Sequence, residues 1–357
     1  MWEQIRSNQI RSAVLVTLMA LILLLVGFFI GLALGSPIAG LIIAFIIWGI
    51  MTLVAFFQGD SILLSVSGAK KTSRADNPQL YNVVEEMKIA SGLEKMPDVY
   101  IIDDPALNAF ATGRDPNHAA VAITSGLLQK LNRDELQGVI GHEISHIKNR
   151  DVRLMSLLAV LLGAIVILAN YAWMFAFLGG MNASGTNTNK RRSSRGGGGT
   201  GIVQIFVVVI ALILAILAPI LAQLIYFAVS RKREYLADAS SALYTRYPEG
   251  LASALEKLST STTQVKAANK ATAPMYIINP FRKKGMSMSD LTSTHPPTAE
   301  RIRILRAMGG GASLADYERA YKQTKGKGGI IPPSALAGEP TATQSRRAST
   351  YRVVATG

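Results

Sequence analysis

The chain contains no cysteine. It therefore forms no disulfide bonds, offers no thiolate to a metal ion and has no cysteine nucleophile. Charged residues are also scarce, at 17% of 357 positions, whereas hydrophobic residues make up 49%. This composition is too apolar for an average soluble domain and indicates a membrane protein.

Four segments are long and apolar enough to cross the roughly 30 Å hydrocarbon core of a bilayer, which takes about 20 helical residues. None of them contains Asp, Glu, Lys or Arg, and they span residues 13–34, 38–57, 154–178 and 202–229. Arg6 and Arg11 precede the first segment as in a signal peptide, but it is too long for one and a second span follows at once. The first two segments therefore predict a retained transmembrane hairpin (residues 1–57).

The segments outside the spans predict a catalytic domain in two parts, residues 58–153 and 230–308. The first part is expected to contain an α/β arrangement with a helix at 78–91 and strands at 99–102 and 119–124. Asn132 and Glu135 then form a capping box at the start of another helix. No proline interrupts that helix before the third span, so it is expected to continue into the membrane.

Two further segments have compositions that cannot bury a core. The connection at 179–201, within the second transmembrane hairpin (154–229), is rich in glycine and basic residues and is expected to be a flexible loop. Residues 309–357 are expected to form a basic, disordered tail.

Two of the four histidines lie in a motif with metal-binding spacing. Residues 141–146 read Gly-His-Glu-Ile-Ser-His, so on a helix His142 and His146 point at one metal ion from the same face. Glu143 projects beside that ion, where it can take a proton from metal-bound water and pass it to a leaving amine. The motif predicts peptide hydrolysis with one Zn²⁺ ion per chain.

A catalytic zinc ion usually takes three protein ligands, so a third ligand is expected downstream. Glu234 is the best candidate, because two membrane crossings after His146 return the chain to the same side of the bilayer. Asp238, one helical turn further on, can accept a hydrogen bond from a ligand histidine. Spacing alone leaves open an ordinary solvated helix face on which these acids pair with nearby bases.

Two other functions are compatible with this motif in a membrane protein. A metal-binding membrane scaffold or transporter without proteolytic activity needs polar groups deep in its spans, where only Asn170, Gln204 and Gln223 offer much. An intramembrane protease embeds its motif in an apolar span, but charged residues flank this motif on both sides. The metal is therefore expected in water at the membrane surface.

Several stretches resemble the HtpX-like membrane zinc metalloproteases, relatives of the CAAX prenyl proteases. The matches lie within residues 1–308 and comprise Asn-Ala-Phe-Ala-Thr-Gly at 108–113, the motif helix, Arg-Glu-Tyr-Leu-Ala-Asp at 233–238, His-Pro-Pro-Thr at 295–298 and Glu-Arg-Ile at 300–302. The resemblance implies an α-helical membrane protein with four transmembrane helices and a mainly helical, gluzincin-like α+β catalytic domain. It implies ligand roles for His142, His146 and Glu234, with Glu143 as general base.

The resemblance also places His295 near the reacting carbonyl, where an imidazole N–H would stabilise the oxyanion. Asn108 and Arg301 are expected to contact the substrate. The strand at 119–124 is interpreted as an exposed edge to which an extended peptide adds, through Ala119, Val121 and Ile123, with a buried core strand as the alternative. A role in the quality control of membrane or misfolded proteins, a stress response and a bacterial or archaeal cell membrane follow from the resemblance alone.

The net charge of +14 favours contact with anionic lipid headgroups and predicts no nucleic-acid partner. Most basic residues near span ends lie on the side of the motif, whereas the loop at 179–201 places four on the other side. The positive-inside rule thus predicts a catalytic domain that faces the cytoplasm. The oligomeric state is left open.

Overall fold

The computed structural model describes residues 2–33, 35–157, 159–160, 231–261, 263–268, 272–280, 295–326 and 328–337. Most of the third predicted span, all of the fourth and the glycine-rich loop between them lie outside the described residues. So does the chain beyond residue 337. The expectations for these segments stay predictions.

Two long helices begin the chain. Helix α1 comprises Trp2–Ala33 and helix α2 comprises Pro37–Val66. Gly35 makes the turn between them at a φ of +81°, a value that a residue with a side chain rarely adopts. Among the described residues, α2 alone is long and apolar enough to cross a membrane. Many of its large apolar side chains, such as Ile42, are exposed.

Glycines let α1 and α2 pack backbone to backbone. A Cβ atom on Gly40 would lie 2.1 Å from the carbonyl oxygen of Gly27, and one on Gly31 would lie 2.9 Å from the Cα of Gly40. A Cβ atom on Gly27 would lie 2.3 Å from the Cβ of Ala44. Small residues four positions apart are typical of closely packed membrane helices. The hairpin therefore depends on the absence of larger side chains at this crossing.

A four-stranded sheet follows the hairpin. Its strands lie in the spatial order β1-β2-β4-β3 and comprise β1 (Ala69–Lys71), β2 (Asp98–Ile102), β3 (Ala109–Asp115) and β4 (His118–Thr124). β2 and β4 are parallel, and the other two pairs are antiparallel. The interpretation of residues 119–124 as an exposed edge is wrong, because β4 is paired on both sides. The edge strands are β1 and β3.

The remaining helices pack around the sheet and against one another. They are α3 (Pro78–Ser91), α4 (Ser125–Lys130), α5 (Arg133–Lys148), α6 (151–157), α7 (Arg231–Thr245), α8 (Pro248–Thr260), α9 (Thr298–Ala307), α10 (Leu314–Lys325) and α11 (Pro333–Ala337). The helix predicted at 78–91 is confirmed. The predicted capping box at the start of α5 is also confirmed, since Asn132 and Glu135 make both of its hydrogen bonds.

Helix α5 lies at the centre of the catalytic domain and contacts α3, α7, α8 and β3. Gly138 lets α8 approach, because a Cβ atom there would lie 2.6 Å from the amide nitrogen of Leu251. The carbonyl oxygen of Gly138 also accepts a hydrogen bond of 2.7 Å from the Ser241 hydroxyl on α7. These contacts bring the motif helix directly against α7.

Helix α5 ends at Lys148 instead of running on toward the third span. Arg150 adopts a left-handed φ of +57°, and α6 begins at residue 151. The turn brings Asp151 Oδ2 within 2.9 Å of His146 Nδ1, a contact between residues five positions apart that lie on different faces of a straight helix. The expectation of one continuous helix is therefore wrong.

The segment after residue 309 is partly ordered, so the prediction of a disordered tail is wrong for its first part. Helix α10 begins with a capping box between Ser313 and Asp316. Tyr317 and Tyr321 lie one turn apart on its buried face, and the Tyr321 ring lies 5.0 Å from that of Tyr235 on α7. This amphipathic pattern is hard to recognise in the sequence, because three consecutive glycines precede α10 and most residues of the helix are polar.

The helix crossing generates a first prediction. Gly40→Leu should destabilise the hairpin, because the new side chain meets the α1 backbone, and overpacking of this kind costs about 1–3 kcal/mol or more. Gly49→Leu is the matched control, since a Cβ atom there meets nothing within 4 Å. Thermal unfolding of both variants in detergent checks this. Equal melting temperatures would contradict the close crossing.

Candidate active site

Two helices supply the residues of a candidate metal centre. His142 and His146 project from α5, and Glu234 projects from the first turn of α7. The two Nε2 atoms lie 3.2 Å apart. Glu234 Oε1 lies 3.6 Å from His146 Nε2, and Glu234 Oε2 lies 3.8 Å from His142 Nε2. The three side chains thus surround one point.

These separations fit a tetrahedral metal ion. Zinc–ligand bonds of about 2.0–2.1 Å at tetrahedral angles place neighbouring ligand atoms roughly 3.3–3.5 Å apart. The distances of 3.2, 3.6 and 3.8 Å bracket that value. Two imidazoles and one carboxylate also form a donor set that suits a catalytic zinc ion with a fourth position open.

Each of the three residues is held from behind by another side chain. Asp238 Oδ1 accepts a hydrogen bond of 3.0 Å from His142 Nδ1. Asp151 Oδ2 lies 2.9 Å from His146 Nδ1, and His295 Nδ1 lies 3.0 Å from Glu234 Oε2. Such partners fix the orientation and tautomer of metal ligands. The role of Asp151 could not be predicted from the sequence, because its contact with His146 requires the turn at residues 149–150.

Arg301 is a buried residue that supports His142 through Asp238. Its side chain is fully buried, and it donates from Nε to Asp238 Oδ2 at 2.8 Å and from Nη2 to Asp238 Oδ1 at 2.6 Å. Its Nη1 donates to the carbonyl oxygen of Ile277 at 3.2 Å. The expectation that Arg301 contacts the substrate is therefore wrong. Arg301 instead orients Asp238, which orients His142.

Burial and neighbouring charges shift the pKa values of the site residues. Burial lowers the pKa of His142 to about 4, which keeps this imidazole neutral. Burial by itself would raise the pKa of the Glu234 carboxyl. The neighbouring histidines, chiefly His295, instead hold this pKa well below its usual value. Burial raises the pKa of Glu143 to about 7. Glu143 Oε1 has no hydrogen-bond partner among the described residues and lies in the same pocket as the three ligands.

The strand beside this pocket is β3. Asn108 and the even-numbered residues of β3 form their backbone hydrogen bonds with β4. The backbone N–H and C=O groups of Ala109, Ala111 and Gly113 point to the outer edge of the sheet. The Ala111 amide donates to the Glu143 carboxylate. Strand β3 could not be predicted from the sequence, since residues 109–115 show no alternation of apolar and polar residues.

The other residues expected to contact substrate lie elsewhere. Val121 and Ile123 are fully buried in the sheet and Ala119 is nearly so, which contradicts their assignment. Asn108 is also buried, and its side chain donates to the carbonyl oxygen of Ile278 at 3.2 Å. It therefore holds the segment after the 3₁₀ turn Ala273–Met275 against β3.

A wider set of residues lines the pocket around the three ligands. They are Ala111, His142, Glu143, His146, Asp151, Val152, Met155, Arg233, Glu234, Met275, Tyr276, Ile277 and His295. His295 thus lies in the pocket, as expected from the sequence, and contacts a ligand as well. The lining therefore combines charged and apolar side chains.

Comparisons with known proteins identify the family of this chain. A family model described as Peptidase family M48 matches residues 74–309. Three relatives are each named "Protease HtpX homolog". The protein from Dictyoglomus turgidum is 49% identical over 78% of this chain and 85% of its own length. The protein from Dictyoglomus thermophilum is 44% identical over 89% and 98%, and that from Streptococcus pneumoniae serotype 4 is 42% identical over 86% and 100%.

A solved structure of Ste24p from S. mikatae also aligns, with a TM-score of 0.44 and 18% identity, over 85% of this chain and 67% of that chain. The family model covers well over half of the present sequence, and the relatives align over most of their length. This chain belongs to peptidase family M48 and is a metalloprotease.

Proposed function

We propose that this metalloprotease is a zinc-dependent endopeptidase of the cytoplasmic membrane that cuts membrane or misfolded proteins near the bilayer. The observation that carries the proposal is the convergence of His142, His146 and Glu234 beside the buried Glu143 carboxylate. Zinc, when bound there, supplies a Lewis acid that polarises the substrate carbonyl and lowers the pKa of water.

Glu143 is proposed as the general base. Its burial and its hydrogen bond from the Ala111 amide hold the carboxylate in the pocket, and Oε1 is left to accept a proton from the attacking water. As the carbon–oxygen bond forms and the carbon–nitrogen bond breaks, Glu143 passes that proton to the leaving amine. His295, which lines the same pocket, is proposed to stabilise the developing oxyanion.

The substrate is proposed to bind as an extended strand along β3. The outer edge of β3 already accepts one such contact, because Ile277 N donates to the Ala109 carbonyl oxygen at 3.0 Å. Ala111 and Gly113 face the same edge further along the strand. Strand addition here would bring a scissile carbonyl next to Glu143, whose carboxylate is held by the same strand.

The membrane assignment is supported by how α2 meets the catalytic domain. Its apolar part is exposed, and its last turns pack on β3 and α6. The Arg153 guanidinium lies 5.0 Å from the Phe56 ring, and the Arg114 guanidinium on β3 lies 5.6 Å from the Phe57 ring. We therefore propose that α1 and α2 form a transmembrane hairpin, with β3 close to the bilayer surface.

The complete topology remains the one inferred from the sequence. Spans at 154–178 and 202–229 would form a second hairpin between the two parts of the catalytic domain. The basic residues near the span ends favour a cytoplasmic catalytic domain. The proposed role in protein quality control rests on the resemblance to HtpX-like proteases.

Removal of the base tests the chemistry. Glu143→Ala should abolish casein cleavage in detergent but keep about one zinc ion per chain, since Glu143 is not a ligand. Glu94→Ala, which changes an exposed residue in the loop after α3, is the control and should cleave normally. Proteolysis by Glu143→Ala would refute the assignment, and an inactive wild-type protein that binds zinc would indicate a scaffold.

Ligand and supporting roles should differ in metal affinity. Glu234→Ala leaves two imidazoles and should lose most of its zinc, whereas Asp238→Asn should weaken zinc binding about 10–100-fold by misorienting His142. Competition with a chromogenic chelator measures both affinities. Full zinc retention by Glu234→Ala would show that the third ligand lies elsewhere.

Membrane proximity should set substrate preference. One substrate sequence is presented in liposomes containing the enzyme, either tethered to a transmembrane span or free at the same bulk concentration. The tethered form should be cut faster, because sharing a membrane raises its effective concentration. Equal cleavage rates would show that the position of the site confers no selectivity.

A further inference from the structure

Arg233 is a buried cation in the active-site pocket that the proposed mechanism does not use. It immediately precedes Glu234 on α7, is 3% exposed and lines the same pocket as His142 and Glu143. Its nearest charged partner is Asp151, with 3.6 Å between Nη1 and Oδ1. That distance is too long for a hydrogen bond.

The hydrogen-bonding capacity of Arg233 is largely unused. A guanidinium carries five N–H donors in a fixed plane. Among the described residues, Nε and Nη1 have no hydrogen-bond partner, and Nη2 meets only the weakly accepting sulfur of Met155 at 3.4 Å. The other oxygen of Asp151 is already committed to His146. Buried donors are rarely left unpaired, so these point to an acceptor that binds in the pocket.

The acidic surroundings of Arg233 indicate a neutral acceptor. Glu143, Asp151 and Glu234 line the same pocket, and Asp151 Oδ1 lies 3.6 Å from Arg233 Nη1. A further carboxylate would lie close to these three, whereas a peptide carbonyl accepts hydrogen bonds without adding charge.

The position of Arg233 indicates which carbonyl it would meet. Asp151 contacts the ring nitrogen of His146 that faces away from the metal, and Arg233 lies against the other oxygen of Asp151. The guanidinium is therefore displaced from the metal position. Successive residues of an extended chain are roughly 3.3 Å apart, so a carbonyl one or two residues from the scissile bond falls near Arg233.

We propose that Arg233 is a substrate-binding residue that donates to a main-chain carbonyl of the bound polypeptide, one or two residues from the scissile bond. This inference rests on the proposed endopeptidase function. The contact fixes which peptide bond lies over Glu143, independently of side-chain sequence. Val152 and Met155, beside Arg233 in the pocket, supply apolar surface for the neighbouring substrate side chain.

A double-mutant cycle between enzyme and substrate tests the contact. Full-length wild type and Arg233→Met cleave a peptide of known scissile bond and a series in which a trans-alkene replaces one non-scissile amide at a time. For wild type, one replacement within two residues of the scissile bond should lower kcat/KM about 10–100-fold, as expected for a hydrogen bond to a charged group. Arg233→Met should be slower by a similar factor on the parent peptide and insensitive to that same replacement.

Matched controls separate this role from a structural one. Lys232→Met makes the same charge change at an exposed neighbour and should retain the wild-type pattern. Arg233→Met should keep about one zinc ion per chain, and Arg233→Lys should regain part of the lost activity.

Three results would overturn the inference: loss of zinc from Arg233→Met, equal sensitivity of both enzymes at every position, or a loss confined to substrates with an acidic side chain. A failure of the proposed function would look different, because wild type would then leave the parent peptide uncut.

Discussion

The contact between α5 and α7 is the constraint on which the rest of the catalytic domain depends. One helix carries two imidazoles and the other carries a carboxylate, and the three ligand atoms can approach within 4 Å only if the helices nearly touch. Gly141 permits that approach, since a Cβ atom there would lie 3.1 Å from Ser241 Oγ, and the Ser241 hydroxyl donates to the carbonyl oxygen of Gly138. Burying so many charges is costly unless each is paired. Arg301, Asp238 and His295 supply those pairs, so the same side chains stabilise the fold and orient the metal ligands.

The break between α5 and α6 shows how local backbone strain serves this arrangement. A left-handed conformation at Arg150 costs free energy, as it does for any residue with a Cβ atom. In return, Asp151 reaches His146, and the chain turns so that α6 packs on α2 instead of extending α5. In the proposed membrane arrangement, the distance of the candidate metal centre from the bilayer is thus set by side-to-side packing of helices, and not by the length of one continuous helix.

Local patterns in the sequence predicted much of the candidate site but little of its support. The motif spacing, the capping box and the helical period placed His142, Glu143 and His146 on α5, and the even number of membrane crossings pointed to Glu234. Features that depend on tertiary structure were not accessible in this way. The role of Asp151 required a turn, the edge position of β3 required the strand order, and the apolar face of α10 was diluted by charged neighbours. Arg301 was predicted to contact the substrate, whereas it contacts Asp238. The sequence of a largely polar helix does not show which of its charged residues is buried.

The packing of β3 and α6 on α2 restricts how the catalytic domain can tilt or rotate against the proposed transmembrane hairpin. The Arg114–Phe57 and Arg153–Phe56 contacts join β3 and α6 to α2. If the substrate binds along β3 as proposed, its chain has to extend from its own position in the membrane to this restricted site. Folded membrane proteins with short connecting loops have no free chain segment of sufficient length, whereas a partly unfolded membrane protein has one. The protease would then choose substrates by the length of unfolded chain that they expose. A folded membrane protein would not be cleaved, and no recognition sequence would be needed.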